Sequence, residues 1–596
     1  MRLLAAASLL ALTLTLGTAP LDAKPARAAA RLALADARFE GLGQRFVASA
    51  TRLSPTEATV LGEHRYDTLL PDITAAGRAA RAAEWRAILA DMVKLDRRRL
   101  SRANQVDYAV LENELRYRLW INDVSQDWAW NAQLYNDIAG GALYGLAARE
   151  FAPWDVRLNA ATARMEALPA FLAESRRQLV PARVPKVFAE TVARQNGGIV
   201  EIAEGMLAPN KATLSAADRA RFDAALAGLK AAVANHQKWL DSELVPQAKG
   251  DFRIGPMLYD QKMKFALVSD ITRPALKAKA LSAKAETRAE MYALSRKVLA
   301  GKTDLAMPDA PSAAQQQAVI EAALKLSYAK RPSRDRLEAR ARETLAEATA
   351  FVAAKGFIRM PDGPTKIITM PKFQQGFAVA YNDPPGPLEK GLANFYAVSP
   401  IPEDWTDAQA TSFLSEYNDY MIHDLSIHEA MPGHYLQLDH ANRSPSVLRA
   451  YLGSGPFVEG WAVYAEGVMK DEGYLNGDPL FALTVLKMRL RSITNTLLDI
   501  GIQTEGMSRD EAMKLMMEGA FQQEREAAGK WVRANLSSVQ LLSYFTGYEE
   551  HRALRAEAER RWGKGFTLRR YHDGVLGFGS PPAKYARAML FGLPIG

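Results

Sequence analysis

The sequence predicts a mainly α-helical protein with one small antiparallel β-sheet. Three observations predict it. The chain of 596 residues is rich in Ala, Leu, Arg and Glu, which favour helix. Most of the region from about residue 30 to 350 carries helix-type patterning with cap and stop signals. After residue 357 the texture changes to alternating and β-branched stretches broken by Pro and Gly, the pattern of short strands.

In chain order, Arg2 precedes an apolar run from Leu3 to Leu16, and small residues follow, with cleavage expected after Ala23 or Ala28. This is the pattern of a secretory signal peptide over residues 1–28, and the run is short for a transmembrane helix. No later apolar stretch is long enough to span a bilayer, so no integral membrane segment is expected once the leader is removed. The expected address is periplasmic or secreted. Residues 29–356 form an N-terminal helical region. Within it, Ser54, Pro55 and Glu57 in "LSPTEATVLG" predict a capping box. "RPSRDRLEARARETLAEATAFVAAKGF" predicts one long amphipathic helix that starts near Ser333 and stops at Gly356. Residues 357–596 form the metal-binding region, in one compact two-lobed unit with the helices before it. Its strands are expected in "TKIITM", "GFAVAYN" and "NFYAVSP". Thr406 and Gln409 predict a second capping box, opening a helix that runs to Met431. The C-terminal "FGSPPAKYARAMLFGLPIG" reads as a loop and a short helix.

Composition narrows the function classes. The chain has no cysteine, which excludes disulfides, thiolate metal ligands and lipid attachment through cysteine. The net charge of +8 is modest for the length. The densest basic run, "KLDRRRLSR", has no interleaved aromatics on which bases could stack, and no nucleic-acid module is present.

One segment carries chemistry. "HEAMPGHYLQ", His428 to Gln437, looks like the zinc-protease pattern His-Glu-x-x-His, but its second His arrives late. The pattern needs His at i and i+4, whereas here 434 − 428 = 6, with Pro432 and Gly433 in between. On one straight helix the two side chains would point about 240° apart. Pro ends or kinks a helix and also suits the first turn of a new one, and Gly tolerates unusual backbone angles. A looped-out Pro-Gly bulge would return His434 to an effective i+4 place. Four of the eight histidines fall between Met421 and His440. Of these, His423 and His440 read as helix-surface residues outside the metal site.

A hydrolytic zinc site uses three protein ligands and keeps one position open. "GPFVEGWAVYAEG" offers Glu459 as the third ligand, with enough chain after His434 for a loop and a turn back. Glu466, seven residues on, lies near the same helix face and is placed to hold a ligand histidine. The bland alternative is a core helix with both Glu residues in solvent. Oxygen and nitrogen donors in a His-His-Glu set suit Zn²⁺ best, with Mn²⁺ or Co²⁺ as substitutes.

"HEAMPGHYLQ" and "FVEGWAVYAE" resemble the HExxPGHxxQ and EGWAxYxE motifs of the bacterial domain-of-unknown-function family numbered 885. The likeness continues through "LLDIGIQTEGMSRDEAMKLM", "LLSYFTGYEEHRALR" and "GKGFTLRRYHDGVLGFGSPP". The family is usually grouped with the thermolysin-like zinc metallopeptidases. The resemblance therefore implies a large helical metallopeptidase-like fold, with the sheet next to the active-site helices. It implies His428, His434 and Glu459 as zinc ligands and Glu429 as the catalytic carboxylate. It also marks Tyr544 and His572 as catalytic candidates near the site. Gln503 stands where relatives more often have His, which puts specificity in doubt at that position.

The function expected is hydrolysis of short peptides, with Zn²⁺ activating water and Glu429 acting as general base. Tyr544 or His572 would stabilise the oxyanion. Two rivals stand beside it. One is hydrolysis of a non-peptide amide or a modified cell-wall peptide. The other is a non-catalytic periplasmic binding protein with a structural metal. A serine esterase lacks its motif, since no G-x-S-x-G occurs.

Overall fold

The computed structural model describes residues 23–370, 379–389 and 391–596. The leader assigned to residues 1–28 lies for the most part outside the described residues. The fold is mainly helical with one three-stranded sheet, as expected. Among the described residues, no helix is long and apolar enough to cross a membrane.

Burial of apolar side chains organises the helices into cores. The largest joins Tyr259, Met291 and Ile320 to Phe357, Trp461, Leu490 and Phe545. A second core, with Leu143, Leu158 and Phe222, is drawn mostly from helices between residues 132 and 248. A third ties Phe39, Phe46 and Leu111 to Leu448 and Tyr585. Helices between residues 255 and 355 thus pack with the motif helices, although their sequence texture matches the N-terminal region.

Local signals held in some places and were overruled in others. Thr406 and Gln409 form their capping box, and Gly356 ends its helix at φ +62°. Ser54 makes no side-chain cap, and the Glu57 carboxylate instead accepts the Tyr451 hydroxyl at 2.7 Å. The long helix begins at Leu337, not Ser333, because the Ser333 hydroxyl closes a turn onto Asp335. The helix expected to run to Met431 is two helices, Asp407–Glu416 and Asp419–Glu429. Asn418 divides them by accepting the Tyr420 and Met421 N–H groups as an N-cap.

The sheet consists of β1 (Thr365–Thr369), β2 (Ala380–Asp383) and β3 (Asn394–Val398) in the order β1-β3-β2. The strands fall where the sequence places them, but the sheet is mixed, not antiparallel. β3 returns antiparallel to β2 and inserts between it and β1, so it runs parallel to β1. As the central strand it is buried on both faces at Tyr396, Ala397 and Val398. Such burial produces a continuous apolar run and hides strand direction from the side-chain pattern.

N-terminal helices grip this sheet from one side. Arg149 pairs with Asp383 at 2.8 Å and donates to the Asp383 and Ala393 carbonyls. His64 bridges Asp67 at 2.9 Å and Glu389, in the β2–β3 connection, at 3.1 Å. Burial alone would lower its pKa, but the hydrogen bonds that it donates to the two carboxylates, with their charge, win and raise it to about 9. A raised folded pKa gives stability that is complete below about 6.5 and lost as pH rises through about 9. The stability lost in His64→Gln, measured by urea denaturation, should therefore shrink between pH 6.5 and pH 9.5, within about a unit.

Candidate metal centre

The late histidine is explained by the backbone. The first motif helix, Asp419–Glu429, ends at the motif Glu, and a second, His434–Ala441, starts at the late His. Between them, the Gly433 N–H donates to the Ile427 carbonyl at 2.9 Å, and the Leu436 N–H to the Ala430 carbonyl at 3.3 Å. Both bonds span six residues (433 − 427 and 436 − 430) where an α-helix spans four. Two residues are looped out and the helical ladder resumes beyond them. A Cβ on Gly433 would collide with the His428 and Ile427 carbonyl oxygens, so only glycine fits there. The Trp461 indole N–H caps the buried Pro432 carbonyl at 2.9 Å.

Glu459, the expected third ligand, lies on the helix Gly455–Asp471. Ser454 caps it and Pro456 sits in its first turn. It packs against the helix Leu542–Trp562 through Gly460 and Gly547, where a Cβ on either would strike the opposing backbone.

These elements bring His428, His434 and Glu459 together, with one donor atom from each lying within 4.8 Å of the others. The Glu459 Oε2 lies 3.5 Å from His434 Nε2 and 3.9 Å from His428 Nε2. A tetrahedral zinc with bonds of about 2.0–2.1 Å separates its donors by about 3.3 Å, so the Glu459 oxygen lies close to zinc spacing from both histidines. Glu466 occupies the orienting place expected of it, with Oε1 2.6 Å from His428 Nδ1. That contact leaves Nε2 as the donor facing the other ligands.

The environment sorts the acids. Burial pushes the Glu429 carboxyl above its ordinary range. Burial acts the same way on Glu459, but the His434 hydrogen bond and charge bring it below. Burial depresses His428 to about 4, assisted by His434, which keeps its ring neutral near pH 7. Burial also pulls on His434, but the Glu459 hydrogen bond and charge hold it above the usual value. Glu429 Oε2 accepts the Asn382 N–H of β2 at 2.9 Å, and Oε1 makes no hydrogen bond among the described residues.

His428, Glu429 and Glu466 line a cavity of about 490 Å³, and so does Tyr544. The Tyr544 hydroxyl accepts from Arg533 at 3.1 Å, which leaves its own proton free to donate. His572 stands elsewhere and is not a catalytic candidate in this geometry. Its Nδ1 meets the Phe357 carbonyl at 2.8 Å, and its Nε2 meets the Tyr464 hydroxyl at 2.9 Å. Its ring packs on Trp461 and Tyr464, and helical spacing turns both away from Glu459. His423 and His440 stay outside the site, as expected, but both are buried rather than on the surface. His423 lies between Tyr474 and Arg340, and His440 meets the Arg359 carbonyl.

Gln503 also lies away from the metal residues. Its side chain accepts the Ile254 N–H at 3.1 Å and donates to the Ser537 carbonyl at 3.0 Å, tying three segments together. Sequence reasoning missed Asp424, one helical turn before His428. It is fully buried, and neither carboxyl oxygen has a hydrogen-bond partner among the described residues. Burial, then the charge of Glu466, raises its pKa well above the ordinary range. It missed as well the basic residues of the cavity wall, Arg491, Arg525, Lys530 and Arg533. Helical periodicity from the motif was the signal for Asp424, whereas none marked the wall.

Purified protein supplied with zinc and freed of excess should hold one ion per chain by atomic emission. His434→Ala should hold none. Gly433→Ala should also lose the ion, and its unfolding free energy should fall by about 1–3 kcal/mol in urea titration, the usual cost of overpacking.

A family model described as "Bacterial protein of unknown function (DUF885)" matches residues 55–590. A solved structure from Shewanella oneidensis, described as a candidate lipoprotein of unknown function, is 33% identical with a TM-score of 0.78. The match covers 93% of this chain and 99% of that one. A second candidate lipoprotein, from Colwellia psychrerythraea, shares the fold at 15% identity and a TM-score of 0.69, with the same coverage. No curated protein matches the chain.

Proposed function

This chain belongs to the DUF885 family, and from that premise we propose that it is a zinc-dependent metallopeptidase of the thermolysin-like kind, acting on short peptides. One observation carries the reading. A His-His-Glu donor set of zinc dimensions sits beside a carboxyl, Glu429, that opens onto a ligand-sized cavity with one oxygen unengaged. A structural metal has no use for such a group, which disfavours the binding-protein alternative.

His428, His434 and Glu459 would hold the ion, and Glu466 would orient His428. Zinc, when bound, supplies a Lewis acid that polarises a carbonyl and acidifies water. Glu429 Oε1 accepts the proton of the attacking water and returns it to the departing amide nitrogen as the C–N bond breaks. A raised pKa suits a group that must both take and give this proton near neutral pH. The Asn382 N–H fixes the other oxygen and so fixes the direction in which Oε1 points. Tyr544, held by Arg533, donates its hydroxyl proton to the carbonyl oxygen as negative charge develops there. The size of the cavity suits an extended peptide end better than a folded protein. The leader pattern and the two candidate lipoprotein relatives favour an extracytoplasmic, envelope-associated address.

Mass spectrometry of a short-peptide mixture incubated with zinc-loaded protein tests the reading. Glu429→Gln should retain zinc and lose about 10²–10⁴-fold in turnover. Tyr544→Phe should lose about 10²–10³-fold. No cleavage of any peptide by the metal-loaded wild type would overturn the proposal.

A further inference from the structure

The wall of the metal cavity carries more positive charge than it pairs. Arg491 forms an ion pair with Glu526, which also accepts the Tyr417 hydroxyl at 2.8 Å. Arg525 lies over the Trp405 ring at 4.5 Å. Arg533 donates to Tyr544. Lys530 is only 6% exposed, yet among the described residues it has no hydrogen bond and no ion pair. The sequence of residues 371–378 and of position 390 contains no acid. A buried ammonium is costly without a partner, and evolution tolerates the cost mainly at sites that bind something.

The geometry of the helix Glu524–Asn535 places this amine. Glu526, Lys530 and Arg533 lie at i, i+4 and i+7 on the stripe facing the cavity. Arg533 marks the metal end, where it interacts with the charge of Glu459. Lys530 stands about 4.5 Å further along the helix axis. The amine and the Arg533 guanidinium therefore line the same cavity, with Arg533 nearer the metal residues.

We propose that Lys530, with Arg533, binds the free C-terminal carboxylate of the peptide, and that the protein is a carboxypeptidase. This rests on the peptidase reading above. Water adds across the scissile C–N bond, leaving a new carboxylate on the shortened peptide and a free amine on the released C-terminal fragment. The carboxylate supplies the charge that the wall lacks. Burial, then the neighbouring Arg491 and Arg533, lower the Lys530 pKa well below its ordinary value against the pull of Glu526 and Glu416, and an arriving anion acts in the same direction as those two carboxylates.

The test separates binding from turnover. Zinc-loaded Glu429→Gln protein is titrated by calorimetry with a panel of N-acetylated tripeptide acids and with the same peptides as C-terminal amides. Acids should bind at least tenfold more tightly than amides, and adding Lys530→Met should remove the difference. Methionine keeps the length of the chain and removes a buried charge. Lys530→Gln serves as the second variant should the first fail to fold by circular dichroism. Equal binding of acids and amides, or no binding of either, overturns the carboxylate site. If wild type cleaves acids and amides alike, the peptidase reading stands and the carboxypeptidase proposal falls. If acid preference survives in binding but wild type cleaves nothing, the anion site stands and the peptidase reading falls.

Discussion

Everything at the candidate centre depends on one backbone contact, the approach of Gly433 to the carbonyls of Ile427 and His428. The Gly433 N–H reaches back six residues to Ile427, and no side chain fits between the two strands of backbone. This one bond turns a spacing of six into the effective spacing of four that two metal-binding histidines need on a helix face. Without it, the looped residues Met431 and Pro432 would have to lie on the helix, and His434 would point away from His428. The Trp461 indole, which satisfies the Pro432 carbonyl, comes from the helix that carries Glu459. The loop that aligns the histidines and the helix that supplies the acid are therefore fastened to each other.

Burial then differentiates side chains of one chemical type. Glu429, Glu459 and Glu466 are identical molecules in nearly the same volume. Glu459 faces His434 and is drawn towards the carboxylate form, as a ligand should be. Glu429 has burial working against its charge, and the two histidines and one backbone N–H offset it only in part, which favours taking a proton. Glu466 is spent on His428 Nδ1. Divergent environments around similar groups are how one site obtains both a permanent anion and a proton acceptor.

Much of this was legible in the sequence because it rests on local rules. Pro432 and Gly433 announce a break, Gly356 a stop, and Thr406 with Gln409 a start, all from chemistry within a turn. Glu459 and Glu466 were legible through helical periodicity once the first ligands were assumed. Tertiary competition defeated the rest. Glu57 left its expected cap for Tyr451, nearly the length of the chain away. Asn418 split a helix whose periodicity runs straight through it. His572 sits in a string that resembles a family motif, yet two neutral partners consume both of its nitrogens. The direction of β3 was invisible because a strand covered on both faces loses its alternation. The basic wall was invisible because Arg491 and Lys530 lie on different helices, and their shared cavity exists only in three dimensions.

The N-terminal helices are part of the site's mechanics as well as its walls. Arg149 fixes Asp383 through both its carboxylate and its carbonyl. The residue before it, Asn382, holds Glu429 by its N–H. The path from a helix in the first 150 residues to the motif Glu is thus two short contacts through the edge strand. Arg533 adds a second link, since it borders both the metal cavity and a cavity of about 570 Å³ whose walls include Gln133, Tyr144 and Ile199 from the N-terminal helices. A lobe that served only to cover the site would not need to touch its working groups at two places. The orientation of Glu429 is set by an edge strand, and an edge strand has one free side to be displaced from. Pinning that strand with the Arg149 guanidinium supports the N–H contact by which Asn382 holds Glu429.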